Sequence, residues 1–315
     1  MNLLYKAADN KKDVLVLYLA FVGLFVVNAI LDSNLLTPDR LCTVILQATP
    51  FVLISMGQTM VMLTGGIDLS VGSVIALMTC IASYVMNPEG LGLIGGMVII
   101  ILSGILIGAV NGAIITFGRI PAIIVTLATS FVWHGISLVL RQTPGGTIDT
   151  GFMKWISGGT ETFSGFVLIL IALLFWMYIK RTRLGNNVFA VGDNESAAYA
   201  SGIGVNKTRI IAYMIAGLFI AMAGITLSGI TGSGDANIGR TYTMNSIAAS
   251  VLGGASFLGG RGVMRGTLVG ALLITTLMNT LFFSGLSPFY QNIVQGIILI
   301  AAVSMNVFGN RRRGN

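Results

Sequence analysis

The chain has 315 residues, 55% of them hydrophobic and only 9% charged, against about 25% charged in an ordinary soluble domain. No soluble fold of that length covers so much apolar surface, so this is an all-α integral membrane protein; the apolar runs are continuous rather than alternating, which excludes a β-barrel. The net charge of +7 marks loops on one side of a membrane and implies no nucleic acid.

A spanning helix needs about 20 predominantly apolar residues. Ten segments qualify in chain order: 14–31, 41–63, 70–86, 91–116, 121–140, 164–180, 209–229, 243–258, 266–284 and 289–308, the third and eighth being short. Lys6, Lys11 and Lys12 precede the first, but no small-residue cleavage site follows it, so it reads as an uncleaved span. With the N-terminus in the cytoplasm, all but four of the 18 basic residues fall inside, the exceptions being Arg40, Arg141, Lys154 and Arg240. Such a bias requires an even number of spans and puts both termini in the cytoplasm, so residues 1–315 read as one transmembrane domain.

Between the second and third spans stands Gly65-Gly66-Ile67-Asp68-Leu69-Ser70-Val71-Gly72-Ser73. An ionisable group near bilayer depth is expensive and is usually kept for a purpose. Gly65 and Gly66 break the second span, and Asp68 with Ser70 can cap the third; a direct role in gating or solute contact is the alternative. A second glycine-rich interruption runs from Val251-Leu252-Gly253-Gly254 to Gly262. Two interrupted apolar segments in corresponding places suggest a transport protein built around a central path. Elsewhere the 41 glycines serve packing: Gly104, Gly108 and Gly112 form a smooth stripe on the fourth span, and Gly266 with Gly270 does the same on the ninth.

Two loops are long. Residues 141–163 face outward, with a turn at Pro144-Gly145-Gly146 and Trp155 at the interface. Residues 181–208 face the cytoplasm and contain a short helix over 193–202. Asp193 or Asn194 caps it, Glu195 sits in its first turn and Gly202 ends it. Two turns are not stable alone in water, so this helix must dock, either on its own bundle or on a cytoplasmic partner. Cys42 and Cys80 lie in or beside apolar segments and read as buried, inert thiols. His134 is the sole histidine, so no histidine-based metal site can be assembled.

Three blocks together resemble one family. They are Gly65 to Ser73; Ala190-Val191-Gly192-Asp193-Asn194 with Ala197, Ala198, Ser201, Gly202 and Ile203; and Ile247-Ala248-Ala249 through Gly262. From residue 41 to 308 the chain resembles the ribose-type permeases, membrane subunits of bacterial ABC importers for monosaccharides. The resemblance implies a homodimer or heterodimer of permeases in the inner membrane, a cytoplasmic ABC ATPase holding ATP and Mg, and a periplasmic or lipid-anchored sugar-binding protein. It also implies that Asp193, Asn194, Glu195, Ala197, Ala198, Ser201 and Gly202 form a coupling helix that carries the ATPase's closure to the spans. The chain has no Gly-x-x-x-x-Gly-Lys-Ser/Thr motif and no Gly-Lys pair, so it is not itself an ATPase.

A sugar is neutral and rich in hydroxyls, so its path needs amide and hydroxyl groups in an apolar wall. The candidates are Asn111, Thr126, Thr129, His134, Asn245, Asn279 and Gln295, with Gly65, Gly66, Asp68 and Ser70 as gating residues. Interhelical hydrogen bonding is the plainer use of each. Ribose-type permeases usually carry an acid at the position of Asn245 and arginine at that of His134, departures that bear on which solute is carried. A permease for a nucleoside, inositol or furanose signalling molecule is the near alternative. An ion-coupled secondary transporter is the distant one, because such proteins need more intramembrane charge than Asp68 supplies.

Overall fold

The structure, a computed structural model, describes residues 11–285 except 88, together with 287, 290, 293, 294, 296, 297 and 300. In chain order its helices are α1 (Lys11–Leu31), α2 (Pro38–Leu63), α3 (Val71–Val85), α4 (Gly92–Gly118), α5 (Ala122–Leu140), α6 (Thr150–Ile156), α7 (Ser164–Arg181), α8 (Arg183–Asp193), α9 (Glu195–Ala200), α10 (Val205–Thr231), α11 (Tyr242–Leu252) and α12 (Met264–Phe283). Among the described residues there is no strand, only an isolated bridge between Gly145 and Gly234. Six helices, α2, α4, α5, α7, α10 and α12, are long and apolar enough to cross a membrane. α1 is 21 residues long. Lys6, Gln295 and most of the tenth expected span, 289–308, lie outside the described residues.

Burial separates a centre from a rim. In α2 and α10, 72% of the most apolar window is buried, against 22–28% in α4, α5 and α7. The rim helices turn Phe117, Phe131 and Val139 outward, where lipid tails solvate them without penalty. The glycine stripe of α4 faces α10. A Cβ at Gly108 would land on the Tyr213 carbonyl, and one at Gly104 on the Gly217 carbonyl. Gly266 and Gly270 of α12 meet the Gly253 and Ala249 carbonyls in the same way. Backbones that approach this closely are held by dispersion, because lipid supplies no hydrophobic drive between helices. Gly108→Leu should therefore cost about 3 kcal/mol or more by overpacking. A thermal melt in detergent checks this; an unchanged midpoint would mean that α4 and α10 can part without loss.

Two helices are half-length. At 15 and 11 residues, α3 and α11 are about 22 and 17 Å long, short of the roughly 30 Å hydrocarbon core. The eighth expected span, 243–258, is thus corrected. The helix stops at Leu252, where Gly253 and Gly254 begin a loop whose Gly254, Gly259 and Gly260 all take positive φ. The N-termini of α3 and α11 meet inside the bundle: Gly72 and Gly239 face each other, and Gly72 N–H donates to Thr243 Oγ1 at 3.0 Å. Segment 232–241 reaches that point by running beside α3, with Gly234 near Ser83 and Asp235 near Thr79.

The loops gather at two ends. At one end, the Gly145–Gly234 bridge, the Asp149 N–H bonded to the Met86 carbonyl and the Thr160 hydroxyl bonded to Asp39 join the segments expected outside. At the other end 64–66, 119–121, 192–209 and 259–260 come together. Arg141, which donates to Ser83 at 2.9 Å, marks the first end, and Arg119 and Arg209 mark the second. Loop 141–163 is more ordered than its composition suggests. Asp149 accepts from Phe152 N–H at 2.8 Å to start α6, which buries Phe152 and Ile156 and leaves Trp155 exposed.

Candidate functional site

The segment between α2 and α3 turns back into the bundle and is tied to three helices. Asp68 is 3% exposed. Its Oδ1 accepts from the Ser70 N–H at 2.8 Å and the Ser70 hydroxyl at 2.6 Å. From α4, Asn111 Nδ2 donates to Ser70 Oγ at 3.0 Å. From α5, the Thr126 hydroxyl lies 3.1 Å from the Ile67 carbonyl and accepts from the Leu69 N–H at 3.0 Å. From α2, the Gln58 amide, turned to satisfy both groups, brackets the Asp68 backbone at 3.1 Å from its carbonyl and 3.3 Å from its N–H. Asn111 lies seven residues before the end of α4, so the turn sits about 10 Å inside that end of the bundle.

The expected cap is corrected in detail. Ser70 holds the N-cap position of α3, but neither it nor Asp68 bonds the helix's free N–H groups. The carboxylate closes a local turn on the residue two places on. The helix start is satisfied instead from across the bundle, by Thr243 on Gly72 N–H. Gln58 and Thr243 were not among the sequence candidates, and only contact between distant segments reveals them.

Asp68, Ser70, Asn111 and Thr126 therefore come together, with Gly65 and Gly66 at their border. Gly65 takes φ +79, and a Cβ at Gly66 would meet the Tyr213 hydroxyl at 2.6 Å. Thr129 bonds back to the Thr126 carbonyl. His134, Asn245 and Asn279 are half-buried and make no hydrogen bond to this group; His134 lies eight residues, about 12 Å, further along α5. Cys42 and Cys80 are buried and free.

A cavity of about 790 Å³ opens at the same end of the bundle, lined by Gly66, Thr116, Arg119, Glu195, Arg209 and Tyr213 among others. The Tyr213 hydroxyl and Thr116 Oγ1 are buried beside it and have no partner among the described residues.

Beside the cavity lies α9. Asn194 caps it by accepting from Ala197 N–H at 2.9 Å, Gly202 ends it at φ +78, and Arg209 bonds Glu195 at 2.9 Å. Ala198 is its buried residue, packed with Val191 and Val205. Asp193, Ala197 and Ser201 are exposed, and Tyr199, a residue outside the sequence candidates, is 76% exposed. The helix is thus held on the bundle by the buried Ala198 and by the Arg209–Glu195 pair, and presents a polar outer face with an exposed aromatic ring. α8, read in the sequence as plain loop, leads into it and ends at Gly192 and Asp193, against Leu63 and Gly260.

A family model described as the branched-chain amino acid transport system / permease component matches residues 40–303. The chain is 35% identical to the ribose import permease protein of Escherichia coli (strain K12), over 90% of this chain and 91% of the relative. It is 36% identical to the ribose import permease protein of Bacillus subtilis (strain 168), over 91% of each. It is 32% identical to the galactose/methyl galactoside import permease protein of Escherichia coli (strain K12), over 95% of this chain and 97% of the relative. No solved structure matches the chain.

Proposed function

This chain belongs to the family of branched-chain amino acid transport system permease components, and from that premise we propose that it is the membrane permease of an ATP-driven importer that carries a monosaccharide across the bacterial inner membrane. The observation that carries the substrate class is similarity along nearly the whole of both chains to permeases for ribose and for galactose. It is a transport subunit and not an enzyme; ATP is hydrolysed on a separate ATPase subunit. Both termini inside suit the arrangement, with α3 and α11 each completing a crossing together with the extended segment that leads into it, since the end of the bundle that carries Arg119 and Arg209 is then cytoplasmic.

α9 is the coupling element in this reading. It is short, capped at both ends and half-docked, so it can transmit a rigid displacement from an ATPase seated on Tyr199. The Asp68 turn is the inner constriction of the path, and the cavity lies below it. A second permease subunit and a sugar-binding protein complete the assembly.

Uptake of labelled ribose, galactose and allose in cells with and without the chain tests the substrate class. Loss of one sugar by tenfold or more supports it; loss of a nucleoside or inositol, with all three sugars unaffected, would move the chain to that class. Tyr199→Arg is expected to cut uptake at least tenfold with the permease present at normal level, and to release the ATPase during purification. Normal uptake with a bound ATPase would remove α9 from the coupling role.

A further inference from the structure

The segments that follow α2 and α10 repeat each other. Aligned without a gap, Thr64-Gly65, Asp68 and Ser70-Val71-Gly72 stand against Thr231-Gly232, Asp235 and Asn237-Ile238-Gly239. The register runs back into the helices, Gly57 and Thr59 against Gly224 and Thr226. The geometry repeats as well. Asn237 N–H donates to Asp235 Oδ1 at 2.8 Å, as Ser70 N–H does to Asp68. One side chain serves both backbone groups of each aspartate, Gln58 for Asp68 and Thr79 for Asp235. Gly65 and Gly232 both take positive φ, 79° and 67°.

The last aligned pair, Gly72 and Gly239, is also the pair that meets backbone to backbone. A residue that touches its own counterpart lies on the two-fold axis relating the copies. From that point α3 and α11 run to opposite ends of the bundle, so the two copies are inverted with respect to the membrane. The partner of the Asp68 segment is therefore 231–239, and not the glycine-richer stretch 251–262.

We propose that Asp235 and Asn237 form a second positioning turn, which holds the outer end of the path as Asp68 and Ser70 hold the inner end, and that the two turns exchange environments during transport. The inference rests on the permease reading. The copies share their chemistry but differ in their surroundings. The inner turn is buried and tied to α4 through Asn111 and to α5 through Thr126. The outer turn is half-buried, tied to α3 through Thr79, and its Asn237 bonds Arg240 at 3.0 Å at the surface. In inverted repeats the difference between the copies in one state is what the move to the opposite-facing state reverses.

The test places single cysteines at Val71, which is buried, and Ile238, which is half-buried, aligned positions whose side chains take no part in the hydrogen bonds of either turn, in a chain whose Cys42 and Cys80 are replaced by alanine. Maleimide labelling of the assembled transporter is compared between the nucleotide-free and the vanadate-trapped states. Labelling at the two positions should shift threefold or more in opposite directions. A shift in the same direction, or none, in a complex that hydrolyses ATP would overturn the exchange while leaving the permease reading intact. Failure of the chain to bind any ATPase would overturn both. Asp235→Ala should lower uptake about tenfold and Asp235→Asn, which keeps the accepting oxygen, should restore most of it; equal loss in both would show that the turn is not what Asp235 supplies.

Discussion

Replacing Gly192 by valine should leave no transport-competent permease. At this residue the end of α8 touches two other segments through backbone alone. A Cβ would fall on the Leu63 carbonyl oxygen and within 2.5 Å of the Gly260 nitrogen, and these two atoms are hydrogen-bonded to each other at 3.1 Å. Neither can turn aside as the end of a flexible side chain can. The neighbouring contact is as close, since a Cβ at Gly259 would lie 2.7 Å from the Gly192 carbonyl and 2.8 Å from the Gly65 nitrogen. Overpacking typically costs about 1–3 kcal/mol, occasionally more, and the substitution would also break a buried backbone hydrogen bond worth about 1 kcal/mol net. Uptake should fall below a hundredth of the parent's, with a lowered melting temperature in detergent. Gly192→Ala should fold in part and transport weakly. Full uptake from either would show that the three segments need not touch.

That contact brings together the three blocks carrying the family resemblance, which lie far apart in the chain. Leu63 to Gly65, Gly192 and Gly259 with Gly260 form one junction below the Asp68 turn. The end of α8 leads directly into α9, so in the proposed coupling a push on α9 would reach the turn through rigid backbone rather than through side chains that could absorb it. Close-packed junctions of this kind shift between discrete arrangements and do not deform smoothly.

Much of the architecture was legible in the sequence because the bilayer imposes it. Long apolar runs must become helices, and six described helices, α2, α4, α5, α7, α10 and α12, fall where the runs predict them. The stripe of Gly104, Gly108 and Gly112 was legible for the same reason, since spacing by four fixes one helix face. The short helix at 195–200 was legible from its cap and its closing glycine. The half-helices were not. An apolar run that stops halfway across looks like a short span, and what permits it, the meeting of Gly72 with Gly239, is a contact between segments far apart in sequence. The internal repeat was hidden by its own chemistry. Gly232 to Gly239 reads as an ordinary polar loop, whereas 251–262 attracts attention by its glycine content. The matching signal is the spacing of Thr, Gly, Asp and Gly, and only gap-free alignment of the two halves exposes it.

The second large effect is expected at Asp68, where two explanations of one buried carboxylate predict different outcomes. If the residue serves as an acceptor, its work is to receive the Ser70 N–H and hydroxyl at 2.8 and 2.6 Å. Asp68→Ala then strands two donors away from water, at about 1–3 kcal/mol for each one left unsatisfied. Uptake should fall at least tenfold. Asp68→Asn keeps a carbonyl oxygen where Oδ1 stands, so the turn should close and uptake should stay within about threefold of the parent. If instead the charge is needed, Asn should fail as badly as Ala even though the protein is folded and its ATPase still bound. Measuring uptake and melting temperature for both variants separates the two. Loss of stability and uptake together in Ala, with both retained in Asn, assigns Asp68 to holding the turn. Loss of uptake alone in Asn assigns it to the passage of the solute. The geometry favours the first outcome, because the oxygen that is seen to bond is one that an amide also presents, and because Asp235 makes the same bond in the outer copy.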